Sequence, residues 1–137
     1  MARNHVIGTL DHGFELIRGL ATPFQRAAAI MFVLSEVHPF DDGNGRIARA
    51  FMNAELVASD EARIIIPTVF RDDYLTGLRT MSRASEPHPF IKVLAFAQRW
   101  VAALDWSSLA AAETIMRTTN AFERASGTIK LLLPALP

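Results

Sequence analysis

Apolar residues recur along the chain at three- and four-residue intervals, with turn residues between segments and few alternating stretches, so the pattern predicts an all-α bundle. Leu10, Phe14 and Ile17 mark a first helix that weakens at Gly19. Thr22, Pro23 and Gln25 supply a second helix with a hydroxyl cap, a first-turn proline and a capping-box partner. From Ala27 to Leu34 this helix is apolar on every side, which predicts a central element packed all round. Pro39 ends it, and the residue before a proline is driven out of helical geometry, so His38 is expected at the helix exit, facing the next loop.

Beyond that loop, Ile47, Phe51 and Ala54 predict the core face of a third helix, with Arg46, Arg49 and Asn53 on another side. Residues 63–67, RIIIP, read as a short extended connector, and Phe70, Tyr74, Leu78 and Met81 outline a further helix in which Gly77 is a mild cost. Pro87 and Pro89 precede a helix from Phe90 to Leu104. Ser107 or Ser108 then caps a last helix to about Phe122, with Gly127 as a stop. The ending LLLPALP is too apolar for a free tail: it packs on the domain, contacts a further domain or a second copy, or marks the boundary of a longer protein.

Half of the 137 residues are hydrophobic, enough for one compact domain over residues 1–137. No apolar run reaches the length of a membrane span, and Asp11 and His12 interrupt any signal-peptide core, so the expected location is cytoplasmic. Fourteen basic and fourteen acidic side chains cancel; no nucleic-acid or membrane partner is expected, and any anion site must be local. Cysteine is absent, which removes disulfides and thiolate metal sites. Twelve of the fourteen basic residues are Arg, which suits bidentate phosphate recognition and is equally produced by coding bias.

The chemistry concentrates in HPFDDGNGRIAR, residues 38–49. Asp-Gly and Asn-Gly are strong turn formers, but the flanks repeat at helical spacing, which argues against a hairpin. A Gly-Asn-Gly loop entering a helix presents unpaired N–H groups backed by the helix dipole, a site for phosphate. Arg46 and Arg49 can grip further oxygens, Asp41 or Asp42 can hold a hard cation, and His38 can take a proton from an incoming hydroxyl.

This stretch is similar to the signature of Fic domains, His-x-Phe-x-Asp/Glu-Gly-Asn-Gly-Arg-x-x-Arg, with every defining position filled. The helix order over about 22–104 resembles the core of that family. The resemblance implies a Fic-fold helical bundle with its active-site loop between two central helices. It also implies transfer of AMP from Mg-ATP to a hydroxyl of a target protein. By that resemblance His38 is the base toward a Ser, Thr or Tyr hydroxyl and Phe40 anchors the loop in the core. Asp42 holds Mg²⁺; Gly43, Asn44 and Gly45 line the hole for the α- and β-phosphates; Arg46 assists there and Arg49 reaches the γ-phosphate. The related Doc kinases carry Lys in place of the second glycine, and Gly45 argues against that branch.

The family's β-hairpin flap, which docks the target peptide as an added strand, has no counterpart in the helical reading before His38. It either precedes this chain or is replaced by another mode of docking. Thr119 to Glu123 resembles an autoinhibitory Ser/Thr-x-x-x-Glu segment whose glutamate pairs with the second arginine; the alternative is a solvated helix glutamate, and Ser82 to Glu86 repeats the spacing. Tyr74 and Asn120 either pack or line an adenine or target pocket. The rival functions are a non-catalytic nucleotide- or partner-binding module lacking the flap, and an enzyme moving another phosphate-containing group.

Overall fold

The computed structural model describes residues 3–135, so Leu136 and Pro137 of the apolar ending lie outside the described residues. The described residues are helical, with no strand, and form two compact units, residues up to Glu61 and from Ala62 onward.

The first unit contains α1 (Arg3–Arg18), α2 (Pro23–Val37) and α3 (Asn44–Ala58). Ile17 is buried and Leu10 and Phe14 half-buried, so the predicted face of α1 is the packed one. At Gly13 a methyl group would lie 3.1 Å from Val33 Cγ1, which measures how closely α1 approaches α2. The start signal of α2 forms as predicted: Thr22 Oγ1 accepts from the Gln25 N–H at 3.2 Å, and the Thr22 N–H donates to Gln25 Oε1 at 3.1 Å. Every residue from Ala27 to Leu34 is buried or half-buried, because α1 and α3 both pack against α2. Arg26 of α2 donates to Glu55 of α3 and, through Nη1, to the Leu20 carbonyl at 3.2 Å.

The core face of α3 differs from the predicted one. Ala48, Met52 and Leu56 are fully buried, in line with the buried Asn44, while Phe51 is 52% exposed and Ala54 is exposed. Burial of Met31, Met52 and Leu56 contributes on the order of 1.5–3 kcal/mol each. A small side chain at position 48 lets α2 and α3 approach, and that requirement outranks the hydrophobicity of Phe51.

The second unit begins with an irregular connector to Pro67 and a 3₁₀ turn, Thr68–Phe70. It continues with α4 (Arg71–Ala84), α5 (His88–Ala102) and α6 (Leu109–Thr118). Ser108 caps α6, accepting from the Ala111 N–H at 3.1 Å. This last helix ends before the predicted Phe122. Thr119 Oγ1 donates to the Ile115 carbonyl at 2.8 Å and accepts from Trp100 Nε1 at 2.9 Å, and Asn120 turns left-handed at φ 67°. Val69, Trp100, Val101, Leu104, Ala121 and Leu131 form this unit's core, so the apolar ending is partly packed. Leu132 and Leu133 remain exposed.

Gly77 is required rather than merely tolerated. A methyl there would sit 3.0 Å from Phe90 Cα and 3.1 Å from its backbone nitrogen, so glycine lets α4 lie against the start of α5. Among the described residues no helix is long and apolar enough to cross a membrane.

Candidate active site

Helix α2 stops because Pro39 follows His38, and the backbone turns there in a left-handed conformation. His38 has φ 49° and ψ 61°, and its N–H still reaches the Leu34 carbonyl at 3.3 Å. A left-handed conformation disfavours residues other than glycine, and here it folds the imidazole back over the last turn of the helix. Nδ1 lies 2.5 Å from the Ser35 carbonyl oxygen. A carbonyl only accepts, so Nδ1 carries the proton and Nε2 of the neutral ring is left with a free lone pair.

The loop after His38 is closed by one side chain. Asn44 is buried, donating from Nδ2 to the Phe40 carbonyl at 2.7 Å and accepting at Oδ1 from the Phe40 N–H at 3.0 Å. This two-ended clamp ties residue 40 to residue 44 and leaves Asp41 and Asp42 on the outside, both exposed. It corrects the expected role of Phe40, whose ring is 52% exposed: the backbone of Phe40, not its side chain, anchors the loop. It also divides the expected role of Asn44, whose carboxamide is spent on the loop and whose backbone N–H alone can face a ligand.

Gly43 enters α3 at φ 80°, a conformation that favours glycine, and provides no side-chain cap. The first N–H groups of α3, at Asn44, Gly45 and Arg46, have no carbonyl one turn back and carry the positive end of the helix dipole. Two guanidinium groups lie over the glycines. A methyl at Gly43 would sit 3.4 Å from Arg46 Nη2, and one at Gly45 would sit 3.5 Å from Arg49 Nη1. Arg46 also lies 3.7 Å from Asp42 Oδ2, a solvated pair with both side chains largely exposed.

His38, Asp41, Asp42, Gly43, Asn44, Gly45, Arg46 and Arg49 line one open depression of about 340 Å³. Of the residues singled out in the motif, all but Phe40 therefore meet in one place. The two features that sequence reasoning missed, the Ser35 carbonyl and the Asn44 clamp, involve backbone partners that a residue pattern does not display.

Residues 3–56 match the Fic/DOC family. The chain is similar to that family over α1, α2, the loop and most of α3. Its all-α bundle, with the loop between α2 and α3, has the Fic fold. It is 34% identical over 91 residues to the protein adenylyltransferase fic-1 of Caenorhabditis elegans and of Caenorhabditis briggsae, an alignment covering 63% of this chain and 18% of each relative. It is likewise 34% identical over 73 residues to the protein adenylyltransferase Fic of Drosophila grimshawi, covering 53% of the chain and 15% of that relative. The matched part of the chain thus spans less than a fifth of these relatives' length. No solved structure matches the chain at a significant level.

Other nominated residues lie outside the Fic/DOC loop. Glu123 is exposed and sits in the turns that follow α6, which corrects its expected place on a helix. Tyr74 is buried with its ring 6.3 Å from that of Phe90, and Asn120 Nδ2 donates to the Lys130 carbonyl at 2.9 Å, so both take part in the packing of the second unit. Residues 3–37, apart from the turn between α1 and α2, are helical and include no strand. Among the described residues no three His, Asp or Glu side chains gather into a metal-binding group.

Proposed function

We propose that this Fic/DOC domain is a protein adenylyltransferase that moves AMP from Mg-ATP to a Ser, Thr or Tyr hydroxyl of a target protein. The observation that carries the reading is the contact of His38 Nδ1 with the Ser35 carbonyl, which leaves Nε2 of a neutral ring to accept a proton beside the depression that Arg46 and Arg49 line. The relatives' name, protein adenylyltransferase, supports the choice of transferred group.

In this reading the target hydroxyl oxygen attacks the α-phosphorus while its proton passes to His38 Nε2. An O–P bond forms to the target, the bond from the α-phosphorus to the bridging oxygen breaks, and pyrophosphate leaves. The N–H groups of Asn44, Gly45 and Arg46, together with the Arg46 guanidinium, hold the α- and β-phosphate oxygens, and Arg49 holds the γ-phosphate. Catalysis of this kind is mostly positioning and charge neutralisation, which a loop pinned by Asn44 provides. The Asp42 carboxylate, exposed in the depression and loosely paired, is the residue that would hold Mg²⁺. One carboxylate completed by phosphate oxygens and water is the usual way Mg²⁺ is bound. When bound, the ion neutralises charge on the phosphates.

In a second reading the target-docking flap is lacking, and the domain binds nucleotide and transfers nothing. ATP labelled at the α- or the γ-phosphate, incubated with Mg²⁺, the protein and a cell lysate, separates the alternatives. AMP transfer labels protein from α-labelled ATP only. Label from γ-labelled ATP would mean phosphate transfer, and none from either would favour the binding module.

A further inference from the structure

The second unit has a half-open cavity of about 450 Å³ that the chemistry above does not use. Small-molecule sites typically run from roughly 300 to 1,000 Å³, so the space suits one small organic ligand. Phe70 and Phe96, tilted with centroids 5.4 Å apart, form its apolar wall together with Val93 and the buried Leu131. Gly77 belongs to the lining, where α4 lies directly against the start of α5. The third wall, residues 130–131, is pinned in place: the Lys130 carbonyl accepts from Asn120 Nδ2 at 2.9 Å, and the Leu132 N–H donates to the Thr119 carbonyl at 3.1 Å.

The charge on this cavity is unusual for the chain. Lys92 and Lys130 are its only lysines, the other basic residues all being Arg, and both line this one space. Among the described residues neither ammonium group has an ion-pair partner, and the Asp73 carboxylate on the same lining pairs with neither. Lysine offers a point charge on a flexible stem, which can lie along an aromatic wall while its head meets an anion in solvent. Two such heads against one carboxylate leave the rim net positive. Thr76 adds a hydroxyl.

We propose that this cavity binds a small organic anion, a flat apolar body carrying a carboxylate or phosphate head. The body lies against Phe70 and Phe96, and the head is met by Lys92 and Lys130. Asp73 and Thr76 accept from any N–H or O–H on the body.

The test uses the full chain, labelled with ¹⁵N, and three probes of one shape: 2-naphthoate, 2-naphthyl phosphate and the neutral 2-naphthamide. At least one anion shifts the backbone amides of Thr76, Lys92, Val93 and Lys130 saturably, and the amide binds about tenfold more weakly or worse, as expected when a charge-assisted contact is lost. The stronger anion identifies the head group. The double variant Lys92→Gln with Lys130→Gln, at two exposed positions, removes the difference between anion and amide, while Phe96→Ala weakens all three probes. No saturable shift at these amides from either anion would overturn the proposal. So would equal binding of naphthoate and naphthamide, which would reveal only an apolar patch, or an anion preference that survives in the double lysine variant.

Discussion

The imidazole of His38 is held by the backbone of Ser35, three residues earlier on the same helix end, through an Nδ1–H···O contact of 2.5 Å. A proline-terminated helix thereby determines which nitrogen of the histidine is free. The left-handed backbone at His38 is what brings the ring back over Ser35, so a locally unfavourable conformation selects the tautomer with Nε2 unprotonated. The same helix end delivers the chain into the loop that Asn44 closes, so base and anion site are set by adjoining pieces of backbone.

The Asn44 clamp leads to a prediction about stability. Asn44→Ala removes both part-buried hydrogen bonds to the Phe40 backbone, at about 0.5–1.5 kcal/mol each. Chemical denaturation should show a loss in that range, accompanied by weaker ATP binding because the loop is no longer fixed. An unchanged unfolding midpoint would mean that the clamp is dispensable.

Two glycines on different helices should respond in opposite directions. Gly77→Ala drives a methyl against Phe90 backbone at 3.0 Å and should destabilise the protein by about 1–3 kcal/mol. Gly8→Ala, in α1 with no atom within 4 Å of the new methyl, should stabilise by up to about 1 kcal/mol through helix propensity alone. Thermal unfolding of the two variants checks both signs.

Local signals were legible in the chain and approach distances were not. Thr22 and Gln25 read correctly as a capping box because both partners sit within one turn, whereas for α6 the pattern left Ser107 and Ser108 open and Ser108 is the cap. The core face of α3 was misread because hydrophobicity ranks Phe51 above Ala48, whereas packing on α2 selects for small size at position 48. Gly77 looked like a propensity cost because its partner, Phe90, lies on another helix. In the loop, the nominated residue types do assemble in one depression. The exposure of Phe40 and the inward turn of Asn44 depend on hydrogen bonds to backbone, which the pattern Gly-Asn-Gly conceals behind its resemblance to a turn.

The two neighbouring aspartates should separate in a metal experiment. Asp42→Ala removes the proposed Mg²⁺ carboxylate and should lower AMP transfer sharply, whereas Asp41→Ala should lose little, since one carboxylate with phosphate oxygens and water suffices. Raising Mg²⁺ should partly restore the Asp42 variant. Equal losses from both substitutions, measured as AMP incorporated at fixed Mg²⁺, would contradict the assignment.

The central claim, that His38 serves chemistry while the α3 entrance serves binding, is tested most directly by measuring ATP affinity and AMP transfer side by side. Calorimetry with Mg-ATP and mass spectrometry of modified protein supply the two readouts, for the wild type, His38→Ala and the double variant Arg46→Ala with Arg49→Ala. His38→Ala should retain ATP affinity and lose transfer by about a hundred- to ten-thousandfold, the usual cost of removing a general base. The double arginine variant should lose affinity itself, since charge-assisted contacts to phosphate are made before the reaction begins. If the wild type binds Mg-ATP and modifies nothing, and His38→Ala behaves identically, the account of this domain as a transferase is contradicted.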